Sequence, residues 1–300
     1  MSNRDYDHKN ERKVGRFLDE YLYENLDWRT ERQTETDIQR QGSDIIASIP
    51  GIGSKIHIDE KAQTDYLNNP LPTFALEIDS IQNGTKRKGW LFKPDKNTDY
   101  YLFIWMVDVY AFRRKQTRYG EKILIERGDH KQLKIDADAL PRDTTSVMWR
   151  DEASLRADDD VDNDDLPGPR VEIDASSESI DAFESNIVSI PGRITSGGTV
   201  DRRAFEAEHI NEIECLLVDR DTLQDYLAAA GFDRTTANDK ATELRNRNNY
   251  GKTDVNAPDF YFYYTSPRQK NEEPINIVMY RRQLEQLAEE TYTVTQNGIQ

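Results

Sequence analysis

Three charged residues in the stretch "GSDIIASIPGIGSKIHIDEKAQ" have types and a spacing that could do chemistry: Asp44, Asp59 and Lys61. Residues 43–49 and 55–63 predict two strands joined by a tight connection at "IPGIGS". Because Asp44 starts the first strand and Asp59 lies in the second, a hairpin can bring their carboxylates together. Two adjacent carboxylates repel each other and are costly to bury unpaired, so the pattern indicates a bound divalent cation.

The face of the second strand that carries Asp59 also carries a lysine. Residues two apart in a strand point to the same side, which places Lys61 and Gln63 beside Asp59. His57 shares this face and is interpreted as a half-exposed strand residue. A few hard oxygen ligands completed by water suit Mg²⁺, and a nearby ammonium can orient a metal-bound water or stabilise charge on a phosphate. The opposite face carries Ile58, Glu60 and Ala62.

These residues resemble the PD-(D/E)xK nuclease superfamily. Its pattern is a helix with an acid, then an Asp, then a hairpin and a strand with (Asp/Glu)-x-Lys. Glu11, Asp44 and the run "DEK" at 59–61 stand in that order, and Gln63 matches a common extension of the motif. The stretch "ERKVGRFL" is similar to the opening helix of archaeal Holliday-junction resolvases. Ser43 stands where the pattern often has Pro.

The resemblance covers about residues 10–110 in the order of elements. It implies an α/β fold with a mixed central β-sheet flanked by helices and a restriction-endonuclease-like core. It also implies Mg²⁺, for which Mn²⁺ can substitute. The implied metal ligands are Asp44, Asp59, Glu11 and the backbone carbonyl of Glu60. The implied catalytic residues are Asp44, Asp59, Lys61, Gln63 and Glu11.

Each candidate also has a structural interpretation. An exposed Asp–Lys pair on a surface hairpin is common and contributes little to stability. Asp44 alone could be a turn residue. Glu11 could be an acid favoured by the dipole at a helix N-terminus, and Glu20 and Glu24 are competing acids on the same helix.

The remaining pattern predicts helices and strands in both halves of the chain. Predicted helices are residues 10–26, "RDTLQDYLAAAG", "TTANDKATELRNRN" and "RRQLEQLAEE"; predicted strands are "WRTERQ", "TFALEIDSI", "KGWLF", "KILIE", "INEIECLLVD", "DFYFYYT" and "INIVMY". The segment "TDYYLFIWMVDVYAF" is too apolar for an edge and predicts a central buried strand. Asn-Gly in "QNGTK" predicts a hairpin turn.

The charge of the chain is divided between segments, although its net value is −16. Residues 85–122 hold ten Lys or Arg and four Asp or Glu, a balance of +6, whereas residues 151–185 hold thirteen Asp or Glu and two Arg, a balance of −11. Such a chain can present a basic surface to nucleic acid; the alternative is two solvated loops that balance the acidic segment. The predicted nucleic-acid contacts are Lys86, Arg87, Lys88, Arg113, Arg114 and Lys115, with Trp90 and Tyr119 available for stacking.

Three segments are expected: a nuclease-like core in residues 1–150, an acidic, flexible insertion in 151–204, and a C-terminal α/β segment in 205–300. The last completes the core or forms a small accessory unit. One cysteine, Cys215, excludes an intramolecular disulfide and a cysteine-based zinc site. No apolar run approaches a membrane-spanning length and the N-terminus is polar, so a cytoplasmic protein with no membrane partner is expected.

The expected function is that of a Mg²⁺-dependent deoxyribonuclease, a hydrolase that acts as an endonuclease on DNA through a metal-activated water. The alternative is a catalytically silent nucleic-acid-binding or assembly protein on the same fold. Five points stay open: exonuclease instead of endonuclease action, RNA as the substrate, homodimer formation, the sequence or structure that is cut, and the biological role.

Overall fold

The computed structural model describes residues 3–33, 42–50, 53–82, 84–117, 120–126, 132–136, 146–150, 170–174, 187–189, 205–266 and 272–300. Side chains are described within 9–33, 42–50, 53–81, 84–111, 205–266 and 272–300. The helices are α1 (Asn3–Tyr21), α2 (Arg220–Ala229), α3 (Arg234–Asn246) and α4 (Arg281–Leu287). Short 3-10 helices span Tyr23–Asn25, Thr64–Tyr66 and Ala207–His209.

The strands of the described residues fall into four sheets. The first nine are β1 (Arg29–Arg32), β2 (Ile45–Ser48), β3 (Ile56–Ala62), β4 (Thr73–Gln82), β5 (Thr85–Lys88), β6 (Tyr100–Val109), β7 (Ala111–Thr117), β8 (Gly120–Glu126) and β9 (Gln132–Asp136). The others are β10 (Ser146–Arg150), β11 (Arg170–Asp174), β12 (Ile187–Ser189), β13 (Ile210–Asp219), β14 (Gly251–Asp254), β15 (Phe260–Tyr264), β16 (Ile275–Tyr280), β17 (Ala288–Thr295) and β18 (Gly298–Ile299).

Seven strands form the central sheet, in the order β1-β2-β3-β6-β13-β17-β18. The first three form an antiparallel meander, β3 pairs parallel with β6, and the strands from β6 to β18 are antiparallel neighbours. A parallel pair needs a crossover connection, and here residues 63–99 make it and include β4 and β5. The fold is therefore α/β with a mixed central sheet, as the sequence predicts.

β6 lies at the centre of this sheet because its side chains are apolar in both directions. Its even-numbered side chains from 102 to 106 face a first core shared with α1 and β2. Its odd-numbered side chains from 101 to 105 face a second core shared with β4, β15 and β16. The prediction of a central buried strand is confirmed.

Helix α1 covers the first face of the central sheet. Its buried residues Val14, Phe17 and Leu18 have the spacing of one helical face, and Leu22 follows just beyond its end. The helix begins at Asn3, earlier than predicted, and a 3-10 turn at Tyr23–Asn25 replaces its predicted end.

A second sheet of five strands, β14-β15-β16-β4-β5, lies across the second core. Helices α2, α3 and α4 contribute their buried leucines and alanines to the same core. Asp219 and Asp233 cap α2 and α3, since their carboxylates accept the backbone N–H of Thr222 at 2.6 Å and of Thr236 at 2.8 Å. Both predicted helices are confirmed.

The strands β7-β8-β9 and β11-β10-β12 form two three-stranded sheets. β11 and β12 lie within the predicted acidic insertion, and the rest of residues 151–204 lies outside the described residues. From the C-terminal third, β13, β17 and β18 pair into the central sheet, and β14, β15 and β16 into the second sheet.

Two further predicted elements differ from the structure. "KGWLF" is not a strand, because β5 ends at Lys88 and the Gly89 N–H donates to the Ile78 carbonyl at 2.7 Å, which turns the chain so that Leu91 and Phe92 enter the second core. "RRQLEQLAEE" is helical only to Leu287, and its last three residues begin β17. The Asn-Gly hairpin is confirmed by the pairing of β4 with β5.

Among the described helices, none combines the length and the apolar character needed to cross a membrane.

Candidate active site

Asp59 and Lys61 lie on one face of β3 and form an ion pair, with 2.5 Å between Lys61 Nζ and Asp59 Oδ1. This face looks toward the second core, whereas Ile58 belongs to the first core on the α1 side. The predicted alternation along β3 is confirmed. The Asp59 side chain is 3% exposed and that of Lys61 is 22% exposed, so solvent reaches the ammonium more readily than the carboxylate.

Asp44 lies immediately before β2 and beside Asp59. The hairpin ladder reaches Ile45–Ile58, and one step further the Asp44 N–H donates to the Ile58 carbonyl at 2.9 Å. Asp44 Oδ2 accepts the backbone N–H of Glu60 at 2.9 Å. Burial and the neighbouring Asp59 carboxylate raise the pKa of Asp44 to about 8. The two carboxylates are therefore held close enough to interact, as the spacing predicts.

A second ammonium group forms an ion pair with Asp59. Lys96, from the loop before β6, places its Nζ 3.1 Å from Asp59 Oδ2, and its side chain is 9% exposed. Burial would raise the pKa of Asp59, but the charges of Lys61 and Lys96 outweigh it and lower that pKa. Burial lowers the pKa of Lys96 and the Lys61 charge adds to this, so Asp59 offsets the shift only in part.

The Lys96 side chain passes over a glycine. Gly42 has φ +79°, and a Cβ there would collide with Lys96 Cδ and Thr98 Oγ1. Thr98 Oγ1 donates to the Gly42 carbonyl at 2.6 Å. Gly42 thus lets the loop before β6 lie directly against the segment that carries Asp44.

Aromatic side chains border this site. The Lys61 ammonium lies 5.3 Å from the ring centroid of Trp90, and Trp90 packs against Tyr101 with 4.9 Å between centroids. The Tyr101 hydroxyl and Gln63 Oε1 are buried with no hydrogen-bond partner within the described residues. Gln63 Nε2 donates to the Thr73 carbonyl at 2.7 Å. Each of these two buried atoms reduces stability unless a water or a ligand supplies the missing hydrogen bond.

Glu11 and His57 are the outlying candidates. Glu11 is exposed on α1. Burial lowers the pKa of Lys61 but Asp59 and Asp44 outweigh it and raise that pKa, and Glu11 adds a smaller upward contribution. The helix thus brings Glu11 into electrostatic range of the site. His57 is half-buried, with its Nδ1 3.0 Å from Ser43 Oγ, as its interpretation as a strand residue predicts.

The Glu60 side chain points away from the site. It accepts two hydrogen bonds from Arg32, at 2.8 and 2.9 Å, and one from the Tyr23 hydroxyl at 2.8 Å. Arg32 also donates to Asp19 Oδ2 at 2.6 Å and to the Gly15 carbonyl at 3.0 Å. Of Glu60, only the backbone carbonyl faces Lys61, with 3.4 Å to its Nζ.

The side chains of Asp44 and Asp59 offer carboxylate oxygens, the type of ligand that Mg²⁺ prefers. Among the described side chains, no group of three or more His, Cys, Asp or Glu is placed to hold a metal ion. Mg²⁺ in proteins often binds through only one or two carboxylates and keeps several waters. Asp44 and Asp59, with the Glu60 carbonyl, fit this pattern, and a cation there would relieve the repulsion that raises the pKa of Asp44.

The predicted nucleic-acid contacts fall on two strands. Lys86, Arg87 and Lys88 are exposed on β5, and Lys86 pairs with the buried Asp79 at 2.9 Å. Arg113, Arg114 and Lys115 lie on β7, but their side chains lie outside the described part, as does Tyr119. Trp90 packs against Tyr101, so it forms part of the wall of the site.

Sequence reasoning missed Lys96, Tyr101 and Arg32. Lys96 and Tyr101 come from the region of the parallel strand next to β3, and only the pairing of β3 with β6 reveals that they reach Asp59. An available signal was the short charged run "KPDKNTD" directly before the most apolar strand.

Comparison of the chain with protein-family models, with curated proteins and with solved structures gives no match.

Proposed function

We propose that this chain is a metal-dependent nuclease that hydrolyses phosphodiester bonds, most readily those of DNA, by a metal-activated water. One observation carries the proposal: Asp44 and Asp59 interact at the end of a hairpin, and Lys61 lies on the same face of β3 as Asp59. A buried pair of carboxylates beside a lysine is costly to a fold that makes no use of it.

The order of the elements supports a restriction-endonuclease-like core. Helix α1 precedes the β1-β2-β3 meander, in the order that the superfamily resemblance implies, and the parallel pairing of β3 with β6 makes the sheet mixed. The candidate carboxylates lie where the meander meets this parallel pair. The crossover between β3 and β6 runs through the β4–β5 hairpin instead of the usual helix.

In this proposal each residue has a defined task. Asp44, Asp59 and the Glu60 carbonyl would hold Mg²⁺ or Mn²⁺, with Glu11 as an outer carboxylate. The bound ion would supply Lewis acidity and lower the pKa of a water. The Lys61 ammonium, which its ion pair with Asp59 keeps beside the two carboxylates, would stabilise negative charge on the phosphate. Gln63 Oε1, which is buried with no hydrogen-bond partner among the described residues, would accept a hydrogen bond from a water of the site.

The substrate would approach over basic side chains. Arg87 and Lys88 are exposed on β5, the strand that leads into the segment carrying Trp90. Phosphate contacts release counterions, so affinity for DNA should fall with salt by roughly one log-log unit per contact. Replacement of Arg113, Arg114 and Lys115 by Ala should weaken binding and flatten this slope if β7 belongs to the same surface.

The alternative is a catalytically silent protein that binds nucleic acid on the same fold. The polar residues of β3 would then be a structural network, and Lys61 would serve only to neutralise Asp59. Such a protein binds DNA in Ca²⁺ and in Mg²⁺ alike and leaves it intact.

A cleavage screen tests the proposal. Linear, circular, single-stranded and branched DNA are incubated with the full chain in Mg²⁺ or Mn²⁺, at low and high salt. Lys61→Met should lose activity about a hundredfold while it retains metal and DNA binding. Asp254→Asn, which changes an exposed carboxylate at the edge of the second sheet, should cut at the wild-type rate. If the DNA stays intact in every condition, the chain is not a nuclease and the catalytically silent alternative remains.

A further inference from the structure

Asp59 is held by two ammonium groups, one on each of its carboxylate oxygens. Lys61 lies 2.5 Å from Oδ1 and Lys96 lies 3.1 Å from Oδ2. Lys61 is also fixed from a second side by the ring of Trp90 and is adjacent to Asp59 on the same strand. Lys96 belongs to a different segment and makes the longer contact of the two. If one ammonium leaves Asp59, the geometry favours Lys96.

A divalent cation on Asp59 and the Lys96 ammonium would be two positive charges on one carboxylate, of which Lys96 contacts Oδ2. Asp59 is 2% exposed, so solvent screens the repulsion between two cations there only weakly. A metal bound by Asp44 and Asp59 through this oxygen therefore expels Lys96 or binds less tightly because of it.

We infer that Lys96 is a displaceable counter-cation. Its ammonium pairs with Asp59 until a metal ion binds there, and it then binds a phosphate of the substrate. The inference rests on the proposed metal-dependent function, and it assigns a substrate-contacting role to a lysine outside the motif residues.

The surroundings of Lys96 allow its ammonium to move while its backbone stays in place. The Lys96 carbonyl accepts a hydrogen bond from Arg220 Nη1 at 3.2 Å. Two residues on, Thr98 is bonded to Gly42, and the Asp99 carbonyl accepts the Arg220 N–H at 2.9 Å. The four-carbon stem lies directly against the backbone of Gly42, which has no side chain to hold it. The released ammonium stays next to the site and needs an anion, which a phosphate supplies.

Metal binding without nucleic acid is the first test. The full chain, Lys96→Met and Lys93→Met are titrated with Mn²⁺ and followed by electron paramagnetic resonance of the free ion. Lys93 is a matched control, because it lies in the same loop and pairs with the exposed Asp95 at 3.4 Å. Lys96→Met should bind Mn²⁺ roughly tenfold more tightly than the wild type, since a competing charge has been removed. Lys93→Met should bind like the wild type.

Duplex binding is the second test, with and without metal. Affinity for a labelled duplex is measured in Ca²⁺ and in chelator over a series of salt concentrations. In Ca²⁺, Lys96→Met should bind the duplex about tenfold more weakly, with a salt slope smaller by about one unit. In chelator the two proteins should bind alike, since Lys96 is then held on Asp59.

The outcomes separate this inference from the proposed function. If the wild type binds Mn²⁺ and Lys96→Met binds it no more tightly, Lys96 is not a competing cation and only the inference fails. An equal loss of duplex affinity in Ca²⁺ and in chelator also overturns it, because release by the metal would then play no part. If the wild type binds neither Mn²⁺ nor any duplex, the proposed function and the inference both fail.

Discussion

The two faces of β3 carry acids in opposite situations. On the face toward α1, Glu60 accepts three hydrogen bonds, two from Arg32 and one from Tyr23. On the other face, Asp59 shares its surroundings with a second carboxylate, two ammonium groups and the Tyr101 hydroxyl, which has no hydrogen-bond partner among the described residues. Both faces are charged and largely buried. They differ in whether the polar atoms have hydrogen-bond partners among the described residues.

This difference shows which face serves the fold. A buried charged network is tolerated structurally when each member has its partners, as Glu60, Arg32 and Tyr23 do. The repulsion and burial that raise the pKa of a carboxylate reduce stability, and so does a buried hydroxyl with no hydrogen-bond partner among the described residues. Such costs concentrate at functional sites. The face with Asp59 is therefore the candidate for chemistry, and the face with Glu60 holds β3 against α1.

The largest expected effect is the loss of catalysis in Asp44→Asn. Cleavage in Mg²⁺ should fall about a hundredfold or more, since a metal ion contributes several kcal/mol to such a transition state. Stability should not fall, because the amide can still accept the Glu60 N–H and the repulsion with Asp59 is gone. Cleavage rates and thermal melts measure the two quantities. Glu60→Gln is the matched control from the other face and should cut at nearly the wild-type rate; equal losses of cleavage in both variants would contradict the division of roles.

Arg32→Met should have the largest effect on stability. It leaves the Glu60 carboxylate, whose side chain is 10% exposed, without its guanidinium, and breaking a buried pair costs about 3 kcal/mol. Urea denaturation gives the change in the free energy of unfolding. The double variant Arg32→Met with Glu60→Gln should recover much of the loss, because no charge is then stranded. If the single variant is as stable as the wild type, the network does not hold β3.

The pH dependence of stability tests the Asp59 face through the raised pKa of Asp44. Asp44 titrates at about 8 in the folded chain and at about 4 when unfolded. Between these values the folded chain retains the proton and the unfolded chain releases it, so stability is present below pH 4 and is lost as the pH rises to about 8.

Melting in chelator from pH 4 to pH 9 measures this loss. Asp44→Asn lacks the titration, so its melting temperature should exceed that of the wild type by about 4 °C or more near pH 8, and the gap should close toward pH 4. A gap that does not change with pH would mean that Asp44 is ionised throughout and that Asp59 does not act on it.

Much of the fold follows from local sequence patterns. The hairpin, the alternation along β3, the central strand and the helices capped by Asp219 and Asp233 are all specified within short windows. "KGWLF" has the composition of a strand, but its course is set by the close approach of Gly89 to the backbone of Glu77, a contact between segments that no local pattern contains.

The candidate site also has one part that a local sequence pattern predicts and one part that depends on contacts between distant segments. Asp44, Asp59 and Lys61 could be placed together because one hairpin carries them. Lys96 and Tyr101 reach Asp59 only through the parallel pairing of β3 with β6, and the choice of a parallel neighbour depends on the burial of the whole sheet. The motif therefore predicts the two carboxylates and Lys61, whereas the tertiary structure brings the Lys96 ammonium and the Tyr101 hydroxyl to the same place.

The smallest expected effects come from replacing one tyrosine by phenylalanine on each face of β3. Tyr23→Phe removes a hydroxyl that donates to Glu60 at 2.8 Å and should lower the free energy of unfolding by about 2 kcal/mol, the scale of a hydrogen bond to a charged group. Tyr101→Phe removes a buried hydroxyl with no partner among the described residues, and burial of such a group costs about 1–3 kcal/mol, so this variant should be more stable by about 1 kcal/mol.

Urea denaturation in chelator should therefore give opposite signs for the two variants. In Mg²⁺ with substrate, Tyr101→Phe should lower the cleavage rate if its hydroxyl is kept for a water or a phosphate oxygen, and Tyr23→Phe should leave the rate of the folded enzyme unchanged. A loss of stability in Tyr101→Phe equal to that in Tyr23→Phe would mean that the hydroxyl has a partner in solution. The two faces of β3 would then be alike in polar satisfaction, and the difference between them would reduce to the repulsion between Asp44 and Asp59.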